Sequence, residues 1–154
     1  MAQPHVAISA KYQLEVVANF EALAAAMDQL ARWLEERQAA PSAAYLSMLA
    51  LEELVTNCIK YGYDDEAEHV IQVQVELSPD GMSMMVEDDG HPFNPLEQVE
   101  PDMNLPIEER PIGGLGLHLL GKLSDQMDYA WKNGRNRVTL HKKTPEISGL
   151  SSHA

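Results

Sequence analysis

The sequence has one cysteine, few positive charges and no long apolar run. Cys58 has no second thiol for an internal disulfide, and its apolar helical surroundings predict a small core residue. The 11 lysines and arginines stand against 24 acidic residues, and the net charge of -13 argues against binding to nucleic acid or to an anionic membrane surface. No segment approaches the roughly 20 apolar residues of a membrane span, and no signal peptide pattern opens the chain. These absences predict a soluble, cytoplasmic protein.

Length and composition predict one globular domain. The chain has 154 residues, 45% of them hydrophobic and 23% charged, which suffices to bury a core without a structural metal. The final residues, TPEISGLSSHA, show no apolar period. We therefore predict a domain over residues 1–143 and a disordered tail over residues 144–154.

The first part of the chain has the apolar spacing of a strand and two helices. We predict a short strand over residues 5–10 and a helix that begins between Tyr12 and Asn19, because apolar residues then recur every three or four positions. The members of this stripe are Val16, Phe20, Leu23, Met27, Leu30 and Leu34. Pro41 and Ser42 predict a break and the N-terminal cap of a second helix.

After the second helix, apolar residues recur at every second position. In VIQVQVEL the apolar positions alternate from Ile71 to Leu77, which predicts a half-buried antiparallel strand. SPDG predicts a turn, and MSMMVE predicts the returning strand with Met82, Met84 and Val86 toward the core. MDYAWK, the turn NGRN and RVTLHKK predict a second hairpin. The sum is an α+β two-layer sandwich, a mostly antiparallel sheet covered on one face by about three helices.

The second helix, AAYLSMLALEELVTNCIKYGY, changes character halfway along and closes near Gly62. One face is apolar in its first half and polar in its second, where it carries Glu53, Asn57 and Lys60. Either the helix end emerges into water, or its polar half lines a pocket. In a pocket these side chains would suit a base, a metal ligand and a phosphate contact.

Two further segments carry candidate chemistry. In VEDDGHPF, Asp88 ends a buried strand, where a carboxylate can accept a hydrogen bond from an adenine amino group while Gly90 lets a flat ring approach. The alternative is that Asp-Asp-Gly is turn chemistry alone. Residues 91–112 contain five prolines and no apolar period, which predicts a long loop that is either a functional lid or disordered.

A cluster of glycines follows this loop at the mouth of an apolar helix. Gly113, Gly114 and Gly116 make either a flexible loop or a backbone cradle, where bare N–H groups and the helix dipole meet a phosphate. The overlapping GLHLLGK is not a P-loop, because its interior is apolar and helical.

In this order, EELVTNCIKYGY, VEDDG and RPIGGLGLHLL resemble the motifs of the ATP-binding domains shared by histidine kinases, the Hsp90 chaperone, DNA gyrase and MutL. Within that superfamily the chain is most similar to the bacterial serine/threonine kinases that act as anti-sigma factors. The resemblance runs from about residue 8 to residue 143 and implies a Bergerat-type fold. One departure is Pro92, which stands where the family's D-x-G-x-G has its second glycine.

The resemblance implies roles for individual residues. Asn57 matches the asparagine that ligates magnesium, and Glu53 matches the glutamate that serves as general base. Asp88 matches the aspartate that reads adenine, with Gly90 behind it.

It also implies residues around the phosphates. Gly114 and Gly116 match the glycines that close over the phosphates with the lid, and Arg110 and Lys60 are bases near the terminal phosphate. The implied cofactors are ATP and Mg2+.

The function implied is that of an ATP-dependent protein serine kinase and partner-switching regulator. Its implied substrate is an anti-anti-sigma (STAS-domain) protein, a sigma factor is a further partner, and family members are often homodimers. The same motifs allow a module that binds nucleotide and sequesters a partner without phosphorylating it. A partner-independent ATPase is a third reading, disfavoured because the transducer domain of such enzymes is missing.

Overall fold

The computed structural model describes residues 9–97, 104, 106 and 114–144. Along these residues the elements are β1 (Ala10–Val17), α1 (Phe20–Glu36), α2 (Pro41–Tyr61), β2 (Val70–Ser78), β3 (Gly81–Asp88), a 3-10 helix (Pro95–Glu97), α3 (Gly114–Leu123), β4 (Gln126–Lys132) and β5 (Arg135–Lys143). The predicted lid is described only at residues 91–97, 104 and 106, and the predicted tail only at Thr144. The extent of the domain therefore stays a prediction.

The strands of the described part form one sheet in the order β1-β2-β3-β5-β4, with every neighbouring pair antiparallel. The turn between β4 and β5 consists of Asn133 and Gly134, both with positive φ, as a tight hairpin requires. The predicted four-residue turn NGRN is therefore two residues too long, because Arg135 and Asn136 already pair in β5. This register sets Asn136 opposite Asp88 in β3.

The helices cover one face of this sheet, which confirms the predicted α+β sandwich. Every second residue of β2 and β3 is buried beneath them, as the period of two predicts. The residues that the sheet contributes to the core are Val16, Ile71, Val73, Val75, Leu77, Met82, Met84, Val86, Val138 and Leu140. Among the described residues, no helix has the length and apolarity needed to cross a membrane.

The beginning of the chain differs from the prediction. β1 occupies residues 10–17 instead of 5–10, of which residues 5–8 lie outside the described part. Val16 was counted in the helical stripe because it stands four positions before Phe20, but it faces the core from β1. Helix α1 begins only at Phe20, after Asn19, whose side-chain oxygen accepts the N–H of Ala22 at 2.7 Å as an N-cap.

The start of α2 also differs from the prediction. Pro41 is its first residue, a position where the missing N–H of proline is harmless, and Ala40 is the cap residue. Ser42 is therefore inside the helix, and its prediction as the N-cap was wrong. The predicted end at Gly62 is confirmed, since Gly62 donates its N–H to the Cys58 carbonyl at 2.9 Å.

Leu30 provides the test of this packing. The Leu30→Ala variant should unfold with a free energy lower by about 2–5 kcal/mol, because the side chain is fully buried and leaves a cavity. The matched control on the same helix is Phe20→Ala, which should lose less than about 1 kcal/mol because Phe20 is 53% exposed. Urea denaturation followed by circular dichroism measures both, and equal losses would contradict the described core.

Candidate functional site

A cavity of about 160 Å³ opens between the C-terminal half of α2 and the point where β3 ends beside β5. Most of its wall is apolar, formed by residues that include Leu54, Val86, Phe93, Pro95 and Val138. Its polar lining includes Asn57, Cys58, Asp88 and Asn136. The cavity is therefore an apolar slot with an acid, a thiol and two amides at defined places, the usual character of a small-molecule site.

Asp88 lies at the end of β3 and its side chain is buried, with 8% of the residue exposed. Its Oδ1 accepts the backbone N–H of Gly90 at 2.8 Å and Nδ2 of Asn136 at 3.0 Å. Its Oδ2 accepts the thiol of Cys58 at 3.2 Å. These donors offset the hydration that a carboxylate loses on burial, so an acidic group can remain at the wall of an apolar cavity.

Cys58 is part of the cavity wall and only partly of the core. Burial raises the pKa of its thiol well above the usual range, and the charge of Asp88 and the hydrogen bond to it raise the pKa further. The side chain is therefore a neutral donor and not a reactive thiolate. The predicted small core residue instead connects α2 to Asp88.

Asn136 is a site residue that the sequence patterns did not reveal. Its Nδ2 donates to Asp88 and to the His91 carbonyl at 2.7 Å. Its Oδ1 accepts the backbone N–H of Phe93 at 2.9 Å and the hydroxyl of Tyr129 at 2.5 Å. The one available signal was the alternation along β5, because Asn136 lies on the same inward face as Val138 and Leu140, where a polar residue is unusual.

Gly90 brings the turn after β3 against the end of α2. A Cβ on Gly90 would stand 2.7 Å from the Gly62 carbonyl oxygen, and the next residue, His91, donates its N–H to that same oxygen at 2.9 Å. Close backbone packing is thus sufficient reason for a glycine here. Its predicted role beside a flat ring stays a prediction.

A charged cluster borders the other side of this turn. The His69 ring stacks on Tyr63, with centroids 3.8 Å apart, and its nitrogens lie 2.6 Å from Asp65 Oδ1 and 3.2 Å from Asp89 Oδ1. The hydrogen bond to Asp65 is the main cause of a raised His69 pKa, and Asp89 adds to it. The cluster therefore ties the α2–β2 connection to the residue that follows Asp88.

The polar half of α2 divides between cavity and solvent. Asn57 lines the cavity and donates Nδ2 to the Glu53 carbonyl at 2.9 Å. Burial raises the pKa of Glu53, the neighbouring charge of Glu52 raises it further, and Lys60 lowers it. Lys60 itself is exposed in the last turn of the helix. Both readings of this helix face thus hold in part, since Asn57 is in the cavity wall and Lys60 is in water.

The glycines of α3 meet α2 at Glu53. A Cβ built on Gly116 would overlap the Glu53 carboxylate, so this side chain occupies the space that Gly116 leaves open. Gly114 is the first residue of α3. The structure thus brings Glu53, Asn57 and Gly116 together, while Arg110 and Gly113 lie outside the described residues.

Comparison with known families identifies the class of protein. The model of the histidine kinase-like ATPase domain matches residues 16–142, which is most of the chain. The chain therefore belongs to the histidine kinase-like ATPase domain family. Membership of an ATPase and kinase family implies that the chain binds ATP.

Individual relatives confirm the resemblance to anti-sigma-factor kinases. An anti-sigma F factor of Clostridium perfringens (strain SM101 / Type A) is 27% identical over 95 residues, 61% of this chain and 68% of the relative. The serine-protein kinase RsbW of Bacillus mycoides (strain KBAB4) is 32% identical over 90 residues, 56% of each chain.

A solved structure shows the same fold. It contains the RsbU and RsbW domains of Rv1364c from Mycobacterium tuberculosis and superposes with a TM-score of 0.62 at 20% identity. The match covers 89% of this chain and 34% of that longer one.

The His69 cluster makes stability depend on pH. Because the His69 pKa is raised in the folded state, its contribution to the free energy of unfolding is complete below about pH 6.5, the ordinary histidine value, and is lost as the pH rises through the folded pKa. The His69→Phe variant keeps the ring stacked on Tyr63 and removes this titration. Urea denaturation between about pH 6 and pH 8 should show a larger decline for the wild type than for the variant, and parallel curves would contradict the cluster.

Proposed function

We propose that this chain binds ATP with magnesium and transfers the terminal phosphate to a serine or threonine of a partner protein. The observation that carries the proposal is a buried carboxylate, Asp88, at the wall of an apolar cavity of suitable chemistry for a purine. The relatives named as an anti-sigma factor and a serine-protein kinase support a partner-switching regulator of that type.

Adenine is the base that this cavity favours. The apolar side chains of Leu54, Val86 and Val138 offer contacts to the faces of a flat ring. Among the residues that the structure describes, the Cys58 thiol is the donor to Asp88 Oδ2, and because a thiol is a weak donor this oxygen retains capacity to accept an amino group. Guanine has a carbonyl oxygen where adenine has that amino group, and a carboxylate repels it.

Asn57 is the residue that fits magnesium. Its amide nitrogen is held by the Glu53 carbonyl, which leaves Oδ1 for a cation. Magnesium commonly takes one or two protein oxygens and completes its shell with water and substrate phosphates, so a cluster of acids is not required. When bound, the ion would offset the phosphate charge that a chain of net charge -13 otherwise repels.

The helix α3 supplies the other phosphate contacts in this proposal. Gly114 and Gly116 lie in its first turn, where N–H groups have no partner within the helix and attract anions. Lys60 and Arg110 are the bases proposed to approach the terminal phosphate. The segment over residues 91–112 is proposed as the lid over this end.

Glu53 is the proposed general base. Its carboxylate lies between α2 and Gly116, next to the proposed phosphate end of the site. Burial raises the Glu53 pKa and so brings it nearer to neutral pH, where a base is more effective. Glu53 would accept the hydroxyl proton of the substrate serine as that oxygen bonds to phosphorus.

The proposed substrate is an anti-anti-sigma (STAS-domain) protein, and a sigma factor is the second proposed partner. A phosphoserine adds about 1.5–2 negative charges, which weakens the complex with an acidic kinase and releases the partner. A homodimer is the proposed assembly. A nucleotide-dependent sequestering module without transfer is the alternative that the following assay separates.

The Glu53→Gln variant tests the proposal. With a serine-containing STAS protein and γ-labelled ATP, transfer should fall by about 100- to 10,000-fold, because an amide cannot accept the proton. ATP affinity should stay within about threefold, since Glu53 is not part of the base cavity. The matched control is Glu52→Gln, which removes an exposed neighbouring charge but not the proposed base and should change transfer by less than about threefold. Binding of ATP without transfer by the wild type would favour the sequestering module, and equal loss in both variants would contradict the role of Glu53.

A pair of glycines in α3 gives an independent test. Gly116→Ala should displace the Glu53 carboxylate and lower transfer by about 10- to 100-fold, because the reacting groups lose alignment. Gly121→Ala has open space around the new methyl group and should leave transfer unchanged while stabilising α3 by up to about 1 kcal/mol. Thermal denaturation measures the stability of both variants, and the transfer assay measures their activity. Normal activity of Gly116→Ala would contradict the proposed contact between Gly116 and the Glu53 carboxylate.

A further inference from the structure

We infer that Asn136 is a positioning residue that determines which bases the nucleotide cavity accepts, by holding the Asp88 carboxylate in one orientation. This inference rests on the proposed nucleotide function and adds a residue to it. Asn136 is 4% exposed and faces Asp88 across the β3–β5 pair, so the two side chains meet on the cavity side of the sheet.

The orientation of the Asn136 amide is fixed by its surroundings. The nitrogen side faces three acceptors, which are Asp88 Oδ1 and the carbonyl oxygens of His91 and, more distantly, Gly90 at 3.4 Å. The oxygen side faces two donors, the N–H of Phe93 and the hydroxyl of Tyr129. A flipped amide would set like groups against each other on both sides, so only one orientation satisfies the site.

This fixed amide in turn assigns different tasks to the two oxygens of Asp88. Oδ1 accepts hydrogen bonds from Asn136 Nδ2 and from the Gly90 N–H, and these two bonds use both of its lone pairs. Oδ2 receives the Cys58 thiol and keeps the remaining acceptor capacity of the carboxylate. A ligand amino group therefore finds an acceptor at Oδ2. Without Asn136, the Gly90 N–H and the weak Cys58 thiol would remain as donors and would restrain rotation about the Cβ–Cγ bond less, so the acceptor at Oδ2 would be less well directed.

The same amide links base recognition to the beginning of the proline-rich segment. Its contacts with His91 and Phe93 hold residues 91–93, and Phe93 is itself part of the cavity wall. One side chain therefore sets both the acceptor and a wall of the cavity.

The test compares ATP with purine riboside triphosphate, which lacks the 6-amino group, by calorimetric titration of the full chain. The wild type should bind ATP at least about tenfold more tightly than the analogue, as expected for a hydrogen bond to a charged acceptor. In Asn136→Ala this ratio should fall to within about twofold of unity. A purely structural role would weaken both ligands equally and leave the ratio unchanged, and that result would overturn the inference.

Two further variants complete the design. Tyr129→Phe removes one of the two donors to Asn136 Oδ1, but the Phe93 N–H and the acceptors around Nδ2 still fix the amide, so this variant should keep the wild-type ratio. If Asn136→Ala does not fold, Asn136→Ser replaces it, because serine retains a polar group at this buried position. The Asn136→Ser variant should also lower the ratio of the two affinities. An unchanged ratio in Asn136→Ser would overturn the inference. A wild type that binds neither ligand would overturn the proposed nucleotide function itself, an outcome distinct from binding with an unaltered ratio.

Discussion

The hydrogen bonds to the Asp88 carboxylate are the interaction on which the functional end of the molecule depends. Their donors come from three separate parts of the fold, which are the thiol of Cys58 on α2, the N–H of Gly90 after β3 and the amide of Asn136 on β5. A buried carboxylate that lost these donors would be strongly unfavourable, so the helix, the turn and the strand are held in a common arrangement.

Helix α2 sets the distance between the two ends of the proposed site. One face of its first half is mostly apolar and buried, and its second half carries Glu53, Asn57 and Cys58. Glu53 and Asn57 are one turn apart and connected by a hydrogen bond, while Cys58 follows Asn57 directly and bonds to Asp88. Because one rigid helix carries all three, the proposed base-recognition and phosphate ends cannot move independently. The contact of Glu53 with Gly116 adds α3 to the same framework.

The sequence predicted those features that depend on local periodicity, and it missed those that depend on pairing between distant segments. The alternation of β2 and β3 and the end of α2 at Gly62 are confirmed. Each of these features depends on the residues of one short segment of the chain. Val16 was misplaced because a spacing of four fits a helix, whereas the partner strand makes it part of a sheet. Asn136 was missed because Asp88 lies 48 residues away in the chain, and the His69 cluster was missed because it joins the nearby Asp65 to Asp89, which lies 20 residues away. Asp88 and Asn57 were predicted as site residues and share one cavity, while the roles of all the predicted site residues stay predictions.

The most direct measurement is calorimetric titration of the purified chain with ATP and with GTP, with and without magnesium, repeated on Asp88→Asn. We expect binding of ATP that magnesium strengthens, a clear preference for ATP over GTP, and loss of that preference in the variant, because an amide in this position no longer offers two acceptor oxygens. Equal affinity for the two nucleotides, or a preference that survives Asp88→Asn, would show that this buried carboxylate does not recognise adenine.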